Sequence, residues 1–423
     1  MSSRSFCGLD FGTSNSTVAC QIQGRIELAP VEGESRTLPS SVFFDFADGS
    51  VSFGRAALAC YAEGVEGRLM RSLKSVLGGS LMDETTRIKS RVYTYKEIIG
   101  LIVARLKASA ECAAGAGVAR AVLGRPVHFV DDNPAADRAA RDALEEIARA
   151  QGFAEIEFQY EPIAAALAYE QTVEREQYAL IADIGGGTSD FSIVRVSPEG
   201  RGRADRGQDV LANKGVHIGG TDIDRLLSLR AVMPLLGLNS ERRGDFGVKI
   251  LPVANAFFVD LATWHRINLL YTPKVARELQ SMLRHSLSPE LIERLIAVVE
   301  SRRGHSIALS IETAKIGLST RTSAMIDLTD IERDFVVEAN RDILRAAIAD
   351  RLGALARTLD DTLAAAGLTG ERIDAVFLTG GSTAIPAVRA VATARTPRAT
   401  VVEGDLFGAV GLGLGLDARR KFG

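Results

Sequence analysis

The feature that most constrains this chain is a segment that occurs twice. Residues 8–17 read GLDFGTSNST, and residues 181–192 read IADIGGGTSDFS. Each copy is an apolar run that ends in aspartate, continues into a Gly-Thr turn and then enters a second, alternating run. Two copies about 170 residues apart predict two similar lobes that face each other.

Strand and helix patterns alternate along the whole chain, which predicts an α/β protein. Runs that are apolar on both faces are typical of buried strands, and they occupy residues 6–9, 121–123, 179–182 and 375–378. Helical periodicity is clearest at residues 95–107, 134–150, 289–302 and 335–366. Ser288 is the expected N-cap of the third helix, and Gly304 follows its end. Residues 198–207 are typical of a polar hairpin loop.

Composition limits the class of protein further. The chain has 423 residues, of which 46% are hydrophobic and 24% are charged, so it can bury a sizeable core. A single core usually splits at this length, which favours two lobes or more. The net charge is −3 and no basic tail is present, so nucleic acid is not an expected partner.

The cysteines and the first residues favour a reducing compartment. The cysteines are isolated and the five histidines are scattered, which argues against a zinc site and predicts buried or half-buried thiols. The N-terminus lacks the apolar stretch of a signal peptide, and the longest apolar run, near 407–416, is too short to span a bilayer. We therefore expect a soluble, cytoplasmic protein. The cysteines are Cys7, Cys20, Cys60 and Cys112.

The two Asp-Gly-Thr turns contain the residue types that bind phosphate. Glycines let backbone N–H groups surround an anion, and a threonine hydroxyl adds a donor. Asp10 and Asp183, at the strand ends, would repel phosphate but can hold a hydrated magnesium ion that bridges phosphates. One such turn alone is equally typical of an ordinary glycine-rich hairpin. Its duplication at matching strand ends favours the functional interpretation.

A third glycine turn follows the apolar run at 375–378 and reads TGGSTAIP over residues 379–386. We expect Ser382 or Thr383 to be the N-cap of a following helix, whose N-terminus can receive an anion or a nucleoside. A plain tight turn from strand to helix is the alternative interpretation.

Further short motifs lie in one order along the chain. They are DFGTSN at 10–15, RTLPSSV at 36–42, GRAA at 54–57, LKSVLG at 73–78, RPVHF at 125–129, EPIAAALAY at 161–169, the second repeat copy at 183–192, GGTDID at 219–224, ETAK at 312–315, the turn at 380–386, and Asp405 followed by Gly411. In this order they resemble the DnaK, or seventy-kilodalton heat-shock protein, family. The stretch LATWHRIN at 261–268 is similar to the short YegD-like branch, in which the nucleotide-binding half stands alone.

The resemblance implies an actin-like ATPase fold, in which two ribonuclease H-like lobes enclose a cleft for ATP or ADP with Mg²⁺. Lobe I would comprise residues 1–172, completed by 396–423. Lobe II would comprise residues 173–395, with an enlarged helical insertion at 225–311. We also expect a monomer without a peptide-binding domain.

The resemblance further implies a role for each matched residue. Asp10 and Asp183 would hold magnesium through water, and Glu161 would help to hold the attacking water. Lys74 would reach the terminal phosphate and orient that water, while Thr13 and Thr188 would contact the γ-phosphate. The remaining nucleotide-binding residues would be Gly12, Ser14, Asn15, Gly185, Gly186, Gly187, Asp190, Gly219, Gly220, Glu312, Lys315, Ser319, Gly380, Gly381, Ser382 and Asp405.

Three departures from the family pattern change the expectations. Ile316 and Ala384 replace two arginines that sandwich the adenine in relatives, so we expect weaker and less selective base binding. The insertion at 225–311 is expected to add a helical layer with Trp264 and His265 in its core, where an unidentified protein partner could dock. Too few residues follow Gly415 for a peptide-binding β-sandwich, so an autonomous DnaK-like foldase is not expected.

These features leave several functions open. The leading one is a slow, magnesium-dependent ATPase that acts as a nucleotide-driven conformational switch and resembles a chaperone. The second is a binding or scaffold protein whose ATPase has decayed, which the lost arginines favour and the retained carboxylates and Lys74 oppose. A filament-forming actin relative is disfavoured because the motifs follow DnaK. A sugar or acetate kinase is disfavoured because no acceptor pocket is apparent.

Overall fold

The computed structural model describes residues 5–79, 82, 84–130, 133–203, 205–244, 249–402 and 408–423. The packing divides the chain into two compact units. The first unit comprises Met1–His217, Leu355–Thr383 and Ala390–Gly423, and the second comprises Ile218–Ala354 and Ala384–Arg389. The lobe boundaries at residues 172 and 395 stay a prediction.

Mixed α/β structure is confirmed. The strands are β1 Ser5–Asp10, β2 Asn15–Ile22, β3 Arg25–Leu28, β4 Leu38–Pro39, β5 Ser41–Asp45, β6 Val51–Phe53, β7 Gly67–Arg71, β8 Thr85–Ile88, β9 Arg91–Thr94, β10 Val118–Arg125, β11 Glu155–Tyr160, β12 Gln177–Ile184, β13 Ser189–Val196, β14 Val210–Val216, β15 Glu241–Arg243, β16 Ile250–Pro252, β17 Ser323–Asp327, β18 Val336–Asn340, β19 Ala375–Thr379 and β20 Thr400–Val402. The helices are α1 Gly54–Ala62, α2 Tyr95–Ala114, α3 Pro134–Ala150, α4 Glu161–Glu170, α5 Gly220–Ala231, α6 Ala256–Leu261, α7 Pro273–His285, α8 Pro289–Glu300, α9 Gly304–Thr320, α10 Arg341–Ala347, α11 Ala349–Ala365, α12 Pro386–Thr393 and α13 Ala409–Phe422.

The first unit contains two sheets with the same pairing pattern. One has the strand order β11-β10-β1-β2-β3, and the other has the order β14-β13-β12-β19-β20. In each, a buried strand from the repeat (β1 or β12) pairs antiparallel with the next strand and parallel with a later one. The carboxyl ends of β1 and β12 therefore carry corresponding residues, Asp10 and Asp183, followed by the glycine turns.

Small residues let helices pack closely against these sheets. A Cβ at Gly8 of β1 would overlap the backbone of α13 at Leu414, and one at Gly413 of α13 would overlap the carbonyl of Ala164 in α4. Helix α4 also contacts β12 and β13. The alanines and glycines of these elements therefore set the position of α4, whose first residue is Glu161.

Local sequence signals explain several helix starts. Thr94 and Glu97 form a capping box at the start of α2, and the Asn133 side chain caps α3. Ser288 is the N-cap residue of α8 by position, but its side chain makes no capping hydrogen bond. Gly304, expected just past this helix, begins α9 instead.

Three expectations from the sequence are wrong. Residues 336–340 form β18 and not a helix, because Val336 and Val337 are β-branched and Asn340 caps α10 through the backbone N–H of Ile343. His265 is exposed, since it lies on a short 3-10 helix that turns it outward. Cys112 is exposed near the end of α2, whereas Cys7 and Cys20 are buried and Cys60 is partly buried.

In the second unit the buried histidine is His305 and not His265, which was expected to be buried. His305, in α9, contacts the Trp264 ring at a centroid distance of 4.9 Å, and its Nε2 lies 3.2 Å from the Trp264 carbonyl oxygen. Burial lowers the pKa of His305 to about 4, against a smaller opposing contribution from that carbonyl. The imidazole is therefore neutral at pH 7 and donates to the carbonyl.

Within the described ranges, no helix combines the length and the apolar character needed to cross a membrane.

We predict that the second unit loses stability as the pH falls from 7 to 5. The folded-state pKa of His305 lies below its ordinary value of 6.5, so the unfolded chain binds the proton first and is stabilised relative to the folded chain in this range. The loss should be about 2 kcal/mol. Urea unfolding monitored by fluorescence of Trp264, the single tryptophan of the chain, measures it directly.

His305→Gln should remove this part of the pH dependence. The same substitution at exposed His265 is the matched control and should leave the difference between pH 7 and pH 5 as in the wild type. An equal pH dependence in the wild type and His305→Gln would contradict the assignment.

Candidate functional site

The aspartates predicted from the repeat lie at corresponding strand ends in the first unit. Asp10 is the last residue of β1 and is buried, with 9% of its surface exposed. Asp183 precedes the end of β12 and pairs in register with Asp190 of β13 on one side and Thr379 of β19 on the other. The repeat therefore brings two carboxylates to the edges where its glycine turns begin.

A lysine and a third carboxylate lie beside these aspartates. Lys74, on a short 3-10 helix at Leu73–Val76, places Nζ 2.6 Å from Oε1 of Glu161. Both side chains are nearly buried, at 11% and 12% exposure. The ion pair thus joins a 3-10 helix to the start of α4, and its two residues are 87 positions apart in sequence.

Burial and the mutual interaction of these charged groups shift their pKa values. Burial, followed by repulsion from Glu161, raises the pKa of Asp10 to about 8 and that of Asp183 to about 6, although Lys74 opposes both shifts. Burial would lower the pKa of Lys74, but Glu161 and Asp10 outweigh it and raise the pKa above 10.5. Lys74 therefore stays charged, and the carboxylates repel one another.

The first glycine turn is held by the hydroxyl and the backbone N–H of Ser40. Ser40 donates from Oγ to the Gly12 carbonyl at 2.7 Å, and its backbone N–H donates to the Ser14 carbonyl at 2.8 Å. A Cβ at Gly12 would overlap the Asn15 carbonyl oxygen, so only glycine fits there. Thr13 and Ser14 are partly exposed at the tip of the turn, and Asn15 begins β2.

The second glycine turn lies against the first. The Gly185 N–H donates to the Thr188 carbonyl at 3.0 Å and closes the turn. A Cβ at Gly186 would overlap the Ser14 hydroxyl, whereas one at Gly187 would meet no atom within 4 Å. The predicted phosphate-binding residues of both turns therefore converge, and Gly187 borders open space.

The third turn is also in contact with the second. Ser382 Oγ donates to the Gly185 carbonyl at 3.0 Å. Gly380 has φ +78°, and a Cβ there would overlap the Ile184 carbonyl, so the turn needs glycine. Gly381 begins the short 3-10 helix Gly381–Ala384.

The expectation that Ser382 or Thr383 caps a helix is wrong. Helix α12 begins only at Pro386, after the 3-10 helix. Thr383 Oγ1 donates to the Gly380 carbonyl at 2.7 Å, so both hydroxyls act as donors that hold the turn.

Most of the predicted nucleoside-binding residues lie in the second unit. Gly219 and Gly220 are at the start of α5, and Glu312, Lys315 and Ser319 are on α9. Lys315 is buried, and its Nζ lies 2.8 Å from the Asp224 carboxylate and 3.4 Å from the Gly220 carbonyl. Asp405 is outside the described residues.

Several supporting residues were not singled out from the sequence. Thr379, opposite Asp183 in the sheet, has a buried hydroxyl that lowers the pKa of the Asp183 carboxyl, against the larger effect of burial. Ser40 and Asp224 hold the first turn and Lys315, respectively. Ser40 and Asp224 lie within motifs at 36–42 and 219–224, but residue type alone does not show which members of a motif face the site.

The donor set suits a hydrated divalent cation. Asp10 and Asp183 supply carboxylate oxygens, the ligands that Mg²⁺ prefers, and burial together with repulsion from Glu161 raises the pKa of both. The glycine turns provide backbone space for an anion beside them. Among the described residues no group of three or more ligating side chains could hold a metal ion, so the two aspartates fit a cation held through its water shell.

Converging glycine turns, strand-end carboxylates and a buried lysine are typical of a protein that binds a nucleotide with a divalent cation. Comparison with known proteins agrees. The model of the family described as Hsp70 protein matches residues 6–232 and 298–414. The chain therefore belongs to the Hsp70 family, whose members share the actin-like ATPase fold and bind ATP or ADP with Mg²⁺.

Individual relatives agree with the family assignment. Chaperone protein DnaK of Thermotoga neapolitana is 34% identical over 223 residues, which cover 52% of this chain and 34% of the relative. The proteins of the same name from Thermotoga petrophila and Thermotoga maritima have the same identity and coverage. The match thus spans about a third of the length of these relatives. Residues 233–297 lie outside the match to the family model.

We predict that Asp10→Asn stabilises the protein in the absence of metal. The pKa of Asp10 in the folded chain lies above its ordinary value of 3.8, so folding stability is lost as the pH rises from 3.8 to about 8. Asparagine removes this loss. The melting temperature of the variant in EDTA should exceed that of the wild type at pH 8 by several degrees, and by less at pH 5.

Asp183→Asn is the matched control, with the same sign and a smaller effect at pH 8, because its pKa is raised only to about 6. A lower melting temperature for Asp10→Asn than for the wild type at pH 8 would contradict the interpretation.

Proposed function

We propose that this chain binds ATP with Mg²⁺ and hydrolyses it slowly, acting as a nucleotide-driven conformational switch of the chaperone family. The observation that carries the proposal is the cluster of Asp10, Asp183, Glu161 and Lys74 beside the converging glycine turns. The matching pairing patterns of the two sheets support the related proposal that the fold contains two duplicated lobes.

The two aspartates would hold the cation through its water shell. When bound, Mg²⁺ neutralises phosphate charge and orients the terminal phosphate. Gly12, Ser14, Gly186 and Gly187 would surround the phosphates, and Thr13 and Thr188 would donate to the γ-phosphate.

Lys74 and Glu161 would act on the attacking water. Because Lys74 stays protonated, it can donate to the water or to a γ-phosphate oxygen and offset charge there. Glu161, held 2.6 Å from Lys74, can accept a hydrogen bond from the same water and direct its lone pair. Water positioning and charge neutralisation are the main requirements of phosphoryl transfer.

The nucleoside-binding candidates of the second unit follow from the family resemblance. Lys315 is held by Asp224, so its position does not depend on a ligand. Ile316 is 61% exposed and offers only apolar contact where relatives have an arginine. We therefore propose adenine binding of reduced affinity. A protein partner at the 225–311 insertion remains an expectation.

A pseudo-ATPase scaffold is the second candidate. Ile316 and Ala384 favour it, because a protein that only binds nucleotide has less need of strict base recognition. The DnaK relatives are named as chaperones, and the match to this chain covers about a third of their length.

We predict that the wild type binds Mg²⁺-ATP and hydrolyses it at a rate on the order of 0.01 s⁻¹ or less. Binding should raise the melting temperature by mass action. Lys74→Ala should largely keep this shift but lose hydrolysis about a hundredfold or more, because Lys74 acts on the water and not on the adenosine. Single-turnover hydrolysis measures the difference.

Lys107→Ala is the matched control, since Lys107 forms another lysine–glutamate pair in the same unit, 2.9 Å from Glu111. It should hydrolyse ATP at the wild-type rate. No thermal shift with millimolar Mg²⁺-ATP would refute nucleotide binding, and binding without turnover in the wild type would favour the scaffold.

We also predict that Ile316→Arg with Ala384→Arg tightens ATP binding about tenfold, because two guanidinium planes can stack on the base. Calorimetry with ATP and GTP measures affinity and selectivity. Leu287→Arg adds an arginine at another exposed apolar position of the second unit and should have no effect. Equal affinities in the wild type and the double variant would place these positions outside the base site.

A further inference from the structure

A buried ion cluster lies at the end of α4 opposite to Glu161. Arg206 donates to both carboxylate oxygens of Glu170, at 2.8 and 2.7 Å, and from Nε to Asp209 at 2.6 Å. The three side chains are at most 4% exposed. This Glu170–Arg206–Asp209 cluster is among the most deeply buried charged groups of the described chain.

The cluster joins α4 to the connection between β13 and β14. This connection was expected to be a polar hairpin loop, and it does link two antiparallel strands, but it carries a buried arginine. Ser197 donates its N–H to Glu170, and Arg201 donates to the backbone carbonyls of Glu170 and Val173. The last turn of α4 is therefore hydrogen-bonded to this connection through side chain and backbone.

Apolar packing and polar contacts both hold α4. Gly413 of α13 lies against Ala164, and Ile163 and Leu167 are buried in an apolar cluster. Interfaces of alanine and glycine allow close approach. The bidentate contact at Glu170 adds a directional restraint on the last turn of α4, which apolar contacts do not supply.

We propose that Arg206 is a positioning residue for the reaction. It determines the position of Glu161 through helix α4. The inference rests on the proposed ATP hydrolysis. A buried ion cluster is seldom the most stabilising solution, since apolar replacements often match it, but a bidentate arginine imposes a strict geometry. A shift of α4 by about 1 Å would lengthen the 2.6 Å hydrogen bond between Lys74 and Glu161 beyond the usual range.

Arg206→Lys tests the proposal, because it keeps the positive charge but loses the planar, two-pronged donor. The expected result is ATP affinity within about threefold of the wild type and single-turnover hydrolysis slower by about tenfold or more. Glu170→Asp shortens the side chain that pairs with Arg206. It should likewise keep ATP affinity and slow hydrolysis.

A control variant must lose as much stability as Arg206→Lys without changing α4. Val103→Ala removes buried apolar volume from α2 in the same unit, away from α4, and should lower the melting temperature while hydrolysis continues at the wild-type rate. Slow hydrolysis in this variant as well would show that general destabilisation is sufficient, and would overturn the proposal.

A second variant tests the proposal if Arg206→Lys does not fold. Glu170→Gln with Arg206→Met removes both charges of the pair and leaves no uncompensated buried ion there, while Asp209 keeps Arg195 at 3.0 Å. Slower hydrolysis with retained ATP binding is again expected. Hydrolysis at the wild-type rate in either folded variant would overturn the proposal.

Amide hydrogen exchange distinguishes failure of this proposal from failure of the proposed function. Exchange along α4, from Ile163 to Glu170, should be faster in Arg206→Lys and unchanged in Val103→Ala, whether or not the wild type hydrolyses ATP. Unchanged exchange along α4 in Arg206→Lys would refute the positioning role. Absent hydrolysis in the wild type would refute only the ATPase.

Discussion

The structure of the site depends on an imbalance of charge around Lys74. Glu161, Asp10 and Asp183 interact with one another and with this single ammonium group. Protonation of Asp10, whose pKa is raised to about 8, relieves part of the repulsion at neutral pH. In the proposed function, a divalent cation would replace this proton and relieve more of the repulsion among the carboxylates.

The backbone accommodates this cluster by excluding side chains. Gly12, Gly186 and Gly380 each occupy a position where a Cβ would overlap a neighbouring turn or strand. The three turns therefore approach one another closely. The proposed cation and phosphate sites would share one region, as phosphoryl transfer requires.

Helix α4 connects this region with the remainder of the first unit. It begins at Glu161, packs through alanines against α13, and ends at the buried pair of Glu170 and Arg206. Long-range links of this kind, 36 residues apart in sequence for Glu170 and Arg206, become visible only when the connection after β13 folds back on the helix.

The sequence alone determined the repeat, the α/β class, the strand-end aspartates and the family. These follow from local rules, because a buried strand, a glycine turn and an aspartate at fixed spacing are readable within a dozen residues. The tertiary structure decided the remainder: that Ser382 binds the second turn and caps no helix, that His305 and not His265 is buried, and that Arg206 lies beneath α4. Each of these depends on which distant segment covers a polar side chain, and burial of that kind is a property of packing that residue type and spacing do not encode.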